Sequence, residues 1–410
     1  MFKIDTATGL KAILLFPLMY ISAFVFLNLS DGFSITKLFF TIMMIISAIL
    51  LIVFFYLYLK KNIDISPYFK ITVGLLIIWS MFTILRSISA NPKDIITLIG
   101  HHQVGALTWL TPLAVVFGLN IANWLSIFNF IGKILIVGIL LGIVLSPYEK
   151  EYGVQAWIHF LPIILLTYFY QTKKMQRVVV LSIIIFIVIS ITASQRVNLI
   201  FLVMLFVFFT IEFLRQKNIS NYKKIFVSLF LMLAVLLGSL QIESYYNKVV
   251  SNKEMTVDTR TFLFEELFAD MSASEELIGR GALGTYYSPY FYYTTTHGLP
   301  GDAPIRSSSE VGYLFLVLKG GYIMLVLYLL VLLPAAYLGL FKSNNIIVRM
   351  SGYYILLYLI LWTISYSPSY QPRFIILWMA VGTCISPYAR KMSDSDLVTK
   401  WNGRTVFEKK

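Results

Sequence analysis

Twelve long apolar runs govern what this chain can fold into. They lie at about 10–28, 38–59, 71–89, 98–118, 127–145, 157–171, 178–194, 197–214, 225–242, 322–340, 350–367 and 374–389. A helix needs about 20 apolar residues to cross the hydrocarbon of a bilayer, and these runs approach or reach that length. In lipid every backbone N–H and C=O must find its partner within the chain, so such runs are helices and not isolated strands. With 58% hydrophobic residues, 13% charged residues and a mean hydropathy of +0.79, no aqueous fold could bury the apolar surface. The sequence therefore predicts an all-α polytopic membrane protein of about 12 spans, one transmembrane domain over 1–390. The first run is too long for a leader's apolar region and no small-residue cleavage site follows it, so it reads as a retained helix. The single cysteine, Cys384, stands inside the last run, which leaves no disulfide framework.

The net charge of +13 reflects topology and requires no nucleic acid. If the amino terminus is inside, most of the 33 basic residues fall on inner segments, among them Lys60, Lys61, Lys173, Lys174, Arg177, Arg215, Lys217, Lys223 and Lys224. Basic residues accumulate on the cytoplasmic side, so both termini are expected there. The one long connection, 243–308 between spans 9 and 10, is then outside. Connections of such length are functional or disordered, and this one is not of low complexity. It carries nine of the 20 acidic residues. Its "DTRTFLFEELFADM" puts Phe262, Leu263, Leu267 and Met271 near one helical face. The following "IGRGALGTYYSPYFYYTTTHGLPGDAPIRSSSE" reads as ordered loop from its Gly, Pro and Tyr content. The polar tail, 391–410, is expected to be cytoplasmic and mobile.

Five arginines share the outer side in this topology: Arg196, Arg260, Arg280, Arg306 and Arg373, with Arg86 near the outer end of span three. Arg196 sits in "ITASQRVNLIFLVMLF" between two apolar runs with no acid within a turn. It is either a snorkelling residue at a hairpin tip or a ligand for an anion in the outer leaflet. The planar guanidinium matches phosphate oxygens in a bidentate way. Taken singly, each loop arginine has an ordinary alternative in an ion pair with the loop's own acids. "GRGALG" offers glycines, Gly281 among them, through which backbone N–H groups can approach an anion. It is no Walker A loop, because the Gly-Lys-Ser/Thr is missing. Tyr286 and Tyr287 open an aromatic run that suits either an interfacial belt or stacking on sugar rings. His297 is the loop's one histidine, and His101 with His102 forms a second candidate pair. Glu310, at the edge of the next span, is expected to pair with Arg306 one turn earlier on a continuing helix. No metal-ligand set is present: there is no His-Glu-x-x-His and no cysteine pair.

In order and pattern these elements resemble the Wzy-type polysaccharide polymerases, whose clan also holds the O-antigen ligases. "TASQR" (Thr192 to Arg196) lies between two central spans, and "TRTFLFEELF" opens the large loop. "GRGALG", a histidine and "SSSEVGYLFLVLKGG" follow. The likeness covers about Ser190 to Ile323, and the other spans agree in number and topology only. His297 stands further from Glu310 than the family's histidine does from its glutamate, and Asp302 holds the nearer position. The resemblance implies a bacterial inner-membrane enzyme with its loop and active site facing the periplasm. The donor would be a glycan on undecaprenyl pyrophosphate and the acceptor a lipid-linked repeat unit. Arginines would stabilise the pyrophosphate leaving group. His297, Asp302 or Glu310 would take the acceptor proton. No metal or other cofactor is implied, and a chain-length co-polymerase is an expected partner. An O-antigen ligase and a repeat-unit flippase or other transporter are the alternatives.

Overall fold

The computed structural model describes residues 6–26, 35–60, 64–89, 91–145, 155–192, 196–215, 220–222, 225, 259–289 and 305–400. The protein is overwhelmingly helical. In chain order the helices are α1 Thr6–Phe26, α2 Ile35–Leu59, α3 Pro67–Leu85, α4 Pro92–Gly100, α5 Ala106–Leu110, α6 Val115–Gly118, α7 Ala122–Leu145, α8 Gln155–Ile158, α9 Leu161–Leu166, α10 Lys173–Thr192 and α11 Arg196–Arg215. Then come α12 Thr259–Asp270, α13 Ala273–Ile278, α14 Gly312–Phe341, α15 Ile346–Leu361, α16 Pro372–Ile385, α17 Pro387–Lys391 and α18 Asp394–Lys400. Between α13 and α14, β1 Tyr286–Tyr287 pairs antiparallel with β2 Ile305–Arg306.

Among the described residues three helices are long and apolar enough to cross a membrane: Leu38–Leu59, Pro67–Leu85 and Gly312–Phe341. A fourth arises if the pair Ala106–Gly118 and Ala122–Gly138, bent by 109°, is one broken span. Several shorter apolar helices accompany them. On α3, Ile71, Ile78 and Leu85 recur every seven residues and are all more than 60% exposed. That spacing forms a single apolar stripe with no protein over it, as a lipid-facing helix requires. These features make it an all-α membrane protein. The run 225–242 falls almost wholly outside the described residues.

Two of the expected continuous spans are interrupted. Where one helix was expected over 98–118, α4 stops at His101, which is extended (φ −87°, ψ 121°), and α5 restarts after Gly105. Proline at the first or second position of the 3-10 turn Thr111–Ala114 then separates α5 from α6. Over 157–171, α8 ends before His159 and α9 starts with Pro162 near its first residue. A third break lies within α14 at Gly321 (φ 70°). Irregular backbone inside an apolar run is tolerated where protein covers it. The residues around these breaks are indeed buried, among them Leu107, Trp109, Phe160 and Leu318.

The core centres on α14, α15 and α16, where Tyr328, Trp362, Phe374 and Trp378 interlock. A smaller cluster joins Leu263, Leu267 and Met271 of α12 and its end to Leu314, Val317 and Leu318 of α14. Of the apolar face read in "DTRTFLFEELFADM", Leu263, Leu267 and Met271 pack in this cluster, and Phe262 is half-buried outside it. At the other end of the bundle the tail is docked through Leu397, where mobility was expected. Asp394 accepts from the Ile346 N–H and the Tyr170 hydroxyl, both at 2.8 Å, and Leu397 is buried.

Candidate functional site

The site is built where the interruptions meet the start of α16. Gln371, the residue before that helix, is extended, Pro372 opens it, and no side chain caps it. Pro372 brings no N–H and the Phe374 N–H donates to the Gln371 carbonyl at 3.0 Å, so what the helix start offers is mainly its share of the macrodipole's positive charge. Arg373 comes next. Its Nη1 lies 2.9 Å from His159 Nε2, and its guanidinium carbon lies 4.9 Å from the Tyr366 ring centre and 5.1 Å from that of Phe374. Its Nε is buried with no hydrogen-bond partner among the described residues. No carboxylate among those residues pairs with it.

His159, in the break between α8 and α9, is 2% exposed. Arginine can only donate, so Nε2 must accept, and Nδ1 carries the hydrogen and donates to the Tyr358 hydroxyl at 2.9 Å. The imidazole is thus held as one neutral tautomer with both nitrogens engaged. It orients Arg373 without cancelling its charge. The Tyr354 hydroxyl donates to the Arg373 carbonyl at 3.2 Å.

Tyr366 packs edge-on against His159 and donates to Asn198 Oδ1 at 2.8 Å. It is the one non-glycine residue with positive φ (66°) among the described residues. That conformation costs about 1–3 kcal/mol and persists only where surroundings impose it. Here a backbone bridge to Val311 and the two ring contacts do so. Asn198 is the third residue of α11, so Arg196 begins a helix whose first turn reaches this cluster; the Arg196 side chain lies outside the described residues. From the break after α4, the His102 carbonyl accepts from Tyr370 N–H at 2.6 Å.

The other expected arginines are engaged differently. Arg280 makes ion pairs with Asp270 and with Glu275 (3.0 Å) and also donates to the Thr285 carbonyl. That guanidinium, aided by the Ser272 cap, holds the Glu275 carboxyl down at about 2. Arg306 pairs with Glu310 at 3.3 Å as expected, but across β2 and a turn, because α14 starts only at Gly312. Arg86 donates to the carbonyls of Ile278 and Gly279 at 2.7 and 2.6 Å and closes the end of α13. The Arg260 side chain, His297 and Asp302 lie outside the described residues.

The glycine element serves packing. The N–H groups of Arg280, Gly281, Ala282, Leu283 and Gly284 all donate within the protein, to Leu318, Lys319, Thr83, Ser87 and Gly281. None of the five is left for an anion. Gly281 (φ 84°) and Gly321 (φ 70°) let this loop lie directly on the broken α14, where a Cβ on Gly321 would strike the Leu277 carbonyl. Tyr286 is core, at 1% exposure, and Tyr287 is 52% exposed. Among the described residues no group of three His, Cys, Asp or Glu could hold a metal ion.

Sequence reading passed over His159, Asn198, Tyr354, Tyr358 and Tyr366. Their signal was present: an ionisable residue inside an apolar run marks function, and Pro162 beside His159 marks a break. No protein-family model matches the chain, and no curated protein or solved structure does so either.

Proposed function

We propose that this chain is a metal-independent glycosyltransferase of the periplasmic face of the bacterial inner membrane. It would polymerise oligosaccharide repeat units carried on undecaprenyl pyrophosphate into a surface polysaccharide. The observation that carries the reading is Arg373, a charged guanidinium whose partners among the described residues are all neutral and whose buried Nε has no hydrogen-bond partner among them. It stands at an uncapped helix start, which itself favours anions. In the twelve-span reading His102, His159, Asn198, Tyr366 and Arg373 all fall at outer ends of their spans, the side on which a flipped lipid-linked donor arrives. The likeness of "TASQR", "TRTFLFEELF" and "GRGALG" to the polymerase pattern supports the same assignment.

In this mechanism the acceptor hydroxyl oxygen attacks the anomeric carbon of the donor. The bond from that carbon to the diphosphate oxygen breaks, and its electron pair leaves with the polyprenyl diphosphate. Arg373 and the α16 start meet the charge that develops on the leaving oxygen. Removing one such preorganised donor typically costs about 10²–10³ in rate. The acceptor proton passes to a base, for which His297, Asp302 and Glu310 stand as candidates. His159 is no candidate, because both its nitrogens are bonded. Arg196 and Arg260 remain proposed pyrophosphate ligands beside Arg373, and a chain-length co-polymerase remains a proposed partner.

One observation favours a second reading. Interrupted helices gathered around a buried charge are also how transporters bind anionic substrates. Purified protein in vesicles, given lipid-linked repeat units, separates the two. Polymerisation yields a ladder of longer glycans and free polyprenyl diphosphate. Movement of unaltered substrate across the bilayer would mark a transporter, and transfer to lipid A core without a ladder would mark a ligase.

A further inference from the structure

A cavity lies away from Arg373. It is an open cleft of about 540 Å³ between the end of α3, α4 and the loop after α13. Ser87, Ser89, Asp94, Glu275, Arg280 and Thr285 line it, and Arg86 borders it. Its charge differs in kind from that of the Arg373 site. Two guanidiniums, of Arg86 and Arg280, face two carboxylates, of Asp94 and Glu275, so the ionised lining balances to zero. A phosphate gains nothing net from such a wall, whereas a polyol can both donate and accept along it.

The wall also leaves suitable groups open. Asp94 Oδ2 accepts from the Ser89 hydroxyl at 2.8 Å, and its Oδ1 has no partner among the described residues. The Thr285 hydroxyl is likewise without a partner there, on an exposed residue. Glu275 is saturated by Arg280 and Ser272, which makes the wall rigid rather than adaptable.

Position adds to chemistry. Asp94 is in the first turn of α4; His101 ends that helix and stacks on His102, whose carbonyl accepts from the Tyr370 N–H three residues before Arg373. At 1.5 Å per residue the helix carries the chain about 10 Å from Asp94 to His101.

Resting on the polymerase reading above, we propose that this cleft is the subsite for the uncharged sugar residues of the lipid-linked substrate. Asp94 and Thr285 would bind their hydroxyls, and Arg373 would hold the diphosphate. The site then selects repeat units whose sugars at this position are neutral, and it disfavours uronic or other acidic sugars, which would face Asp94.

The test uses the full chain in detergent micelles with two independent probes. A printed panel of neutral and acidic oligosaccharides reports the cleft, with the best binder then titrated calorimetrically. Farnesyl diphosphate reports Arg373. The expected result is binding of neutral oligosaccharides that falls by about tenfold or more in Asp94→Asn and in Thr285→Val, the scale of a lost hydrogen bond. Farnesyl diphosphate affinity should be unchanged in both, and their melting temperatures should match the wild type. If Asp94→Asn fails to fold, Thr285→Val, on an exposed position, carries the test alone. Binding of acidic oligosaccharides only, no oligosaccharide binding, or equal affinity in the variants would overturn the subsite. Saccharide binding without diphosphate binding would leave the cleft standing and remove the Arg373 reading, so the two failures are distinguishable.

Discussion

Arg280 and Arg373 carry the same side chain in opposite electrical settings. Arg280 meets Asp270, Glu275 and a backbone carbonyl, so its donors are consumed and its charge is cancelled within the loop. Arg349, at the other end of the bundle, is similar: it pairs with Glu212 at 2.8 Å and approaches Asp394 at 3.8 Å. Among the described residues Arg373 meets an imidazole, two aromatic faces and no carboxylate. A neutral acceptor fixes a guanidinium in place and leaves its charge free to act on a ligand. The difference teaches that counting arginines does not find an anion site. What matters is whether each one's partners neutralise it.

The largest effect expected from this contrast is on catalysis. Arg373→Ala should lower glycan transfer by about 10²–10³-fold, measured as ladder formation in vesicles. Arg373→Lys should fail nearly as badly, because an ammonium cannot reproduce the forked donors. Full activity in the lysine variant would reduce the claim to net charge.

Arg280 should respond on the other axis. Arg280→Ala strands two carboxylates in a partly buried setting and should cost about 2 kcal/mol of stability, seen as a lowered melting temperature. An unchanged melting temperature would break the contrast from that side.

His159 sharpens it. His159→Gln keeps an acceptor for Arg373 and should retain most activity with an unaltered pH profile. His159→Ala should lose about tenfold, the scale of one hydrogen bond to a charged group. A changed pH profile in the glutamine variant would mark proton transfer by His159 rather than positioning.

The smallest effect is acid sensitivity of the loop. The Glu275 carboxyl is held down from 4.5 to about 2 by Arg280 and the Ser272 cap. A depressed carboxylate stabilises the fold above its unfolded value and loses that contribution as pH falls from about 4.5 towards 2. Thermal unfolding across that range should show Glu275→Gln less sensitive to acid than the wild type.

Much of the architecture was legible in the sequence. Apolar run length gave helices in lipid, and the spacing of Leu263, Leu267 and Met271 gave the packed face of α12. The breaks were harder to see, because each lies within a run that is apolar on average; the polar His101-His102-Gln103 with Gly105, then Pro112, mark the first, and His159 with Pro162 marks the second. The glycine element was ambiguous in principle. Positive φ serves a tight packing contact as well as an anion nest, and only the partners of the five amides decide. Arg373 was legible as one of five arginines expected to share the outer side. Its distinction within the set was not, because the neutral residues that hold it come from positions 159, 198, 354, 358 and 366, scattered along the chain.

The most direct test is the affinity of farnesyl diphosphate for the full chain, wild type against Arg373→Ala and Arg280→Ala, with folding checked for each. The account predicts a loss of about 10–100-fold in Arg373→Ala, the scale of hydrogen bonds to a charged group, and little change in folded Arg280→Ala. Equal affinity in wild type and Arg373→Ala, or a loss confined to Arg280→Ala, would contradict it.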